Sequence, residues 1–194
     1  MASFLPTYFY DQFGVSKVEA GQLTMLATLM SAVARVVGGQ VADRIGGINV
    51  LSGVLLLVAL TLLLCGLAGA SLAISTLLLA FYFILLGAGS GALFQLVPLR
   101  WPTTTAVVIS MIGEIGAFGG GFIPNAMGQS KHYTGTYAWG FVAFAVVPAT
   151  MLTLLRVVQG RWTRTWVGPG GRALMPQEWE GPGQVRLDRV QRPA

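Results

Sequence analysis

The chain has 194 residues, 54% of them apolar and only 10% charged, with 12 basic against 7 acidic side chains and a net charge of +5. A soluble domain carries about 25% charged residues, so a soluble globular protein is excluded. So are a disordered chain and a disulfide-stapled secreted domain, because the single cysteine, Cys65, lies in an apolar run. The basic balance does not signal nucleic acid, since the body has no basic patch and no basic–aromatic interleaving; it suits a membrane topology with arginines on one side.

Taken in chain order, Met1–Gly14 comes first. Fourteen helical residues cover only about 21 Å, Pro6 sits among them, and the aromatic stretch SFLPTYFYDQF ends at Asp11. It reads as the last half of a helix, with Phe4, Tyr8, Phe9, Tyr10 and Phe13 as packing and interfacial aromatics. A signal peptide is not expected, as there is no basic n-region. A membrane span needs about 20 mostly apolar residues, and five follow, at about 20–42, 48–68, 74–98, 104–127 and 137–158. No charge occurs between Arg44 and Arg100, and the small residues Ala68, Gly69, Ala70 and Ser71 divide that stretch into two spans. Residues 1–158 are thus expected to form a transmembrane bundle. Residues 159–194 are expected to be a cytoplasmic, disordered tail, dense in glycine and proline between Gly168 and Gly183.

Five crossings place Arg44, Arg100 and the C-terminal Arg156, Arg161, Arg164 and Arg172 on one side, while the opposite loops hold Lys17 and Lys131. The C-terminus is therefore expected in the cytoplasm of a multi-pass protein of the cell membrane. Trp162 and Trp166 suit the headgroup zone.

Two charges interrupt the spans. Arg35 lies about 12 Å inside its helix, counted back from Asp43. An arginine at a helix centre costs about 2.5–3.5 kcal/mol on insertion scales, so it faces a cavity or a partner, snorkels to the interface, or pairs structurally with an acid. Its planar, permanently charged fork favours an oxyanion, which it can grip bidentately. Glu114 stands near the middle of a later span. Unpartnered burial would keep it neutral and able to carry a proton; pairing with a base such as Arg35 is the alternative. Glycines crowd two helices. Gly87, Gly89 and Gly91 fit close helix packing. Gly116, Gly119 and Gly120, at i, i+3 and i+4 in a denser cluster, leave one bare face that can admit an ion to the backbone or let a neighbouring helix slide. Gln95 and Asn125 read as helix-end polar residues, and His132 as a solvated loop residue. The sequence shows no catalytic triad, metal-ligand cluster, P-loop or cofactor motif, so an enzyme reading has no residues behind it.

The pattern resembles a known family. Gly39-Gln-Val-Ala-Asp43-Arg44-Ile-Gly46-Gly47 is similar to the G-x-x-x-D-R-x-G inter-helix motif of the major facilitator superfamily. Gly113–Asn125, GEIGAFGGGFIPN, resembles the second nitrate signature of the nitrate/nitrite porter (NarK-type) family, carried on the eleventh of twelve helices. Ala34–Gly39 resembles that family's eighth helix, where one arginine holds the anion, and Gly87–Pro98 its tenth. The resemblance runs from Met1 to about Val167. It implies an all-α half-bundle comprising the end of helix 7 and helices 8–12, the C-terminal half of a secondary transporter. Arg35, Gly116, Gly119 and Gly120 would then form the substrate side, Glu114 a proton-coupling candidate, and Gly39, Asp43, Arg44, Gly46 and Gly47 a conformational loop.

The departures also matter. The family's site is shared with an N-terminal half, so a partner half, from the same gene or a separate chain, is expected. A lone half cannot run alternating access by rocking one bundle against another. Glu114 stands where the better-known members have a small uncharged residue. The implied partners are nitrate or nitrite and the lipid bilayer, without nucleic acid. Two alternatives stay open: a facilitator-type porter for another small anion, and a non-transporting membrane fragment that needs an N-terminal partner.

Overall fold

A computed structural model describes residues 4–67, 71–163 and 165–173. Expectations for residues 68–70, Arg164 and 174–194 fall outside it. The described residues form six helices, α1 (Leu5–Phe13), α2 (Lys17–Ile45), α3 (Gly47–Leu67), α4 (Leu72–Arg100), α5 (Thr105–Thr134) and α6 (Ala138–Trp162), then a 3₁₀ turn at Pro169–Gly171. Five of them, α2 to α6, are long and apolar enough to cross a membrane. The fold is an all-α membrane bundle.

Helices α2, α4, α5 and α6 extend beyond the expected spans at one end or both, while α3 matches its span to within one residue. Pro6 does not break α1: it occupies the first turn, where no backbone donor is needed. Gly14, at φ 65°, ends that helix. Ser16 and Glu19 then form a capping box, Ser16 Oγ accepting from the Glu19 N–H at 3.2 Å and Glu19 Oε2 from the Ser16 N–H at 3.0 Å. This starts α2 at Lys17, ahead of the apolar run. At the other extreme α5 continues through Lys131 and His132 to a left-handed Gly135, so His132 belongs to a helical turn and not to a loop. Gln95 and Asn125 are likewise interior to α4 and α5. Gln95 Oε1 is buried without a hydrogen bond and faces Gly47, where only a missing Cβ makes room.

Packing is uneven. Small residues on α2 meet the glycines of α4 along a tight seam. A Cβ on Gly38 would overlap the Ala88 backbone, one on Gly87 the Ser31 carbonyl, and one on Gly91 the Arg35 carbonyl. This is the close packing expected of Gly87 and Gly91, and Gly89 turns the other way, onto Val54 of α3. Helix α3 lies between α4 and α6. Tyr8 and Phe9 of α1 pack inward, Tyr8 meeting Tyr137 and Phe141 edge-on with ring centroids 5.4 and 5.5 Å apart, while Tyr10 is exposed. Helix α5 is the exception: Met127 is its one buried residue.

The last turns also depart from the expectation of an unstructured tail from residue 159. Helix α6 continues to Trp162, Val167 is fully buried, and Gly170 and Gly171 press on Gly46 and Ile48. The apolar side chains of Val167 and Trp166 join Ile48, Leu96 and Leu155, which gives this short segment a surface to fold against.

At the opposite end Asp11 ties α1 to α5. Asp11 Oδ2 accepts hydrogen bonds from Lys131 Nζ and the Tyr137 hydroxyl, each at 3.0 Å. Those two donors hold the Asp11 carboxyl below its usual range, the Lys131 bond contributing most. A depressed acid stabilises the fold above its ordinary range, and the contribution is lost as pH falls through the lowered value. The pair is about one-third exposed, so the effect is within about 1 kcal/mol. Asp11→Asn, compared with the native chain at the same neutral pH, is expected to speed amide exchange in residues 129–134. Equal exchange rates would remove the tether.

Candidate functional site

Arg35 sits about two thirds of the way along α2, at its crossing with α4. The glycine seam fixes this stretch of backbone, because the Arg35 carbonyl fills the space a side chain at Gly91 would occupy. The side chain itself is exposed. Its Nε–H donates to Ser90 Oγ at 3.0 Å, and the Ser90 hydroxyl donates to the Gly87 carbonyl at 2.8 Å. The second bond commits the hydroxyl proton to α4 and turns an oxygen lone pair toward Arg35. One of the five guanidinium donors is thereby anchored, and the terminal nitrogens are left to grip a planar anion. Ser90 was not singled out from sequence; its only signal was a hydroxyl among the glycines of Gly87–Gly91.

The bare face of α5 is open. Nothing lies within 4 Å of where a Cβ would stand at Gly113, Gly116, Gly119, Gly120 or Gly121. Pro124, inside the helix, also deprives the Gly120 carbonyl of its usual donor. Arg35 is therefore not in contact with these glycines. Glu114 is exposed on the same helix, and it does not pair with Arg35: the ion pair among the described residues is Lys131–Asp11.

The loop motif is packed through its glycines. Gly46 ends α2 at φ 97° against Gly170, and Gly47 abuts Gln95 and Leu96 of α4. Gly39 approaches the Gly91 carbonyl at 3.8 Å from its Cβ position. Asp43 and Arg44 are exposed at this end of the bundle. No group of three or more potential metal ligands occurs among the described residues.

Apolar helices of spanning length, one carrying an oriented arginine, define a multi-pass α-helical membrane protein. Its homologues are nitrate/nitrite transporters, not enzymes. The chain is 27% identical to the probable nitrate/nitrite antiporter NarK1 of Thermus thermophilus, over 82% of this chain and 41% of the relative. It is 26% identical to the nitrite extrusion protein of Bacillus subtilis, over 78% and 38%. With the nitrate/nitrite transporter NarU of Escherichia coli it shares 28%, over 72% and 36%. The chain thus spans about two fifths of the length of these relatives. No family model matches it.

Proposed function

We propose that this chain is the C-terminal portion of a nitrate/nitrite secondary transporter, and that Arg35 holds the anion. The observation that carries this reading is the Arg35–Ser90–Gly87 relay, which anchors an exposed guanidinium, without an ion-pair partner among the described residues, on a helix held by glycine contacts. The open glycine face at Gly116, Gly119 and Gly120 is proposed as the second wall of the substrate path and as the surface on which a complementary N-terminal half, from the same gene or another chain, moves. In this reading α1 is the end of helix 7 and α2 to α6 are helices 8–12. The motif Gly39, Asp43, Arg44, Gly46 and Gly47 is the loop that reports the movement. The α2–α3 loop, Arg100 and the end of α6 gather at one end of the bundle. With their arginines that end is proposed as cytoplasmic, in the cell membrane.

The test is uptake of isotope-labelled nitrate into proteoliposomes holding this chain with an N-terminal half. Saturable uptake, competed by nitrite, is expected. Absence of saturable nitrate uptake, with saturable uptake of an unrelated small anion in the same vesicles, would replace the substrate assignment. Glu114 is proposed as a proton-coupling residue, supported by its place on the open helix with no ionic partner among the described residues; burial would come only with the complementary half. Glu114→Gln is then expected to flatten the pH dependence of uptake; an unchanged profile removes that role.

A further inference from the structure

A second site lies away from Arg35, at the end of the bundle where α4 and α6 terminate. A groove of about 450 Å³ opens between α3, α4, α5 and α6, walled by side chains such as Leu93, Ile112 and Leu155. Among the described residues, Arg100 is the one charged side chain on its wall, and it stands at the mouth. Its guanidinium lies between two indoles, 5.7 Å from the Trp101 ring and 5.8 Å from the Trp166 ring. Neither contact is a hydrogen bond to a polar acceptor, so the guanidinium keeps N–H donors for an anion. Arg100 forms neither an ion pair nor a side-chain hydrogen bond with another described residue.

Depth identifies the occupant. Helix α4 has 29 residues, about 43 Å at helical rise, against a hydrocarbon core of about 30 Å and about 40–45 Å with headgroups. Its terminal residue, Arg100, therefore stands at phosphate level, where tryptophans also concentrate. Leu93 lies about 10 Å further in, within the reach of one leaflet. The groove is thus apolar where acyl chains run and cationic where phosphates sit. We propose that it seats one acyl chain of an anionic glycerophospholipid, with the phosphate on Arg100.

Native mass spectrometry of the purified full chain, offered phosphatidylglycerol and phosphatidylcholine of equal chain length, tests this. Phosphatidylglycerol is expected to be retained about fivefold more, the ratio one interfacial cation supplies. Arg100→Gln is expected to equalise the two lipids, and Leu93→Trp, which fills the groove, to reduce both. Equal retention by the native chain, or an unchanged preference in Arg100→Gln, overturns the proposal. A benzoylphenylalanine photoprobe replacing Ile112 gives an independent readout. An adduct with phospholipid supports the site; an adduct with residues 174–194 or with a second copy of the chain assigns the groove to protein and overturns it.

Discussion

Arg35→Lys is expected to abolish saturable nitrate uptake, although it keeps the charge. Lysine offers a compact ammonium in place of a planar fork, so it can neither hold two anion oxygens side by side nor send one N–H to Ser90 while aiming others outward. A hydrogen bond to a charged group contributes about 1.5–3 kcal/mol, so its loss weakens anion affinity about ten- to a hundredfold. Arg35→Ala is expected to be at least as severe. Ser90→Ala keeps the guanidinium and removes its anchor, so a milder loss of about two- to tenfold is expected, with the defect in affinity and not in maximal rate. The measurement is the concentration dependence of uptake, supported by nitrate binding to the purified chain. Near-native uptake by Arg35→Lys would end the assignment of this residue to the anion.

The second large effect separates two kinds of glycine. A Cβ at Gly91 would overlap the Arg35 carbonyl and approach the Gly39 nitrogen to 2.7 Å. Both obstacles are backbone and cannot rotate aside. Gly91→Ala is expected to force α2 away from α4, at about 1–3 kcal/mol or more, and to lower thermal stability in detergent while misplacing Arg35. Gly120→Ala meets open space, and alanine is favoured over glycine in a helix by about 1 kcal/mol. Its melting temperature is expected to hold or rise while uptake falls. If instead Gly91→Ala is tolerated and Gly120→Ala unfolds the chain, the seam and the open face have been exchanged.

Spans were legible because hydropathy acts locally: the charge-free stretch between Arg44 and Arg100 needs no tertiary knowledge to read. Helix ends were less so. The Ser16–Glu19 capping box was present as a sequence pattern, yet the apolar run began later and drew the boundary inward. The glycines of α4 were readable as packing residues, but their partner on α2 was not, since packing depends on which helix crosses at that height. Ser90 and Asp11 were out of reach for the same reason. Their partners lie 55 and 120 residues away, and a lone serine or aspartate has no periodic signature. The α5 glycines were conspicuous from density alone, whereas the openness of their face is a property of three dimensions.

The sparse cover of α5 has a consequence for how the chain enters lipid. With Met127 its one buried residue, this helix is held to its neighbours by little beyond the Lys131–Asp11 bond and sparse contacts with α4 and α6, so partitioning into lipid weighs heavily in its placement. Its Val, Ile and Phe side chains each favour insertion by about 0.3–0.6 kcal/mol, while an acidic charge at a helix centre opposes it by about 2.5–3.5 kcal/mol. A single carboxylate at Glu114 therefore offsets most of what the apolar residues contribute, and the glycines add little. Residence of α5 in the bilayer is then finely balanced and decided before assembly, so a modest change in sequence can govern whether the mature topology forms at all.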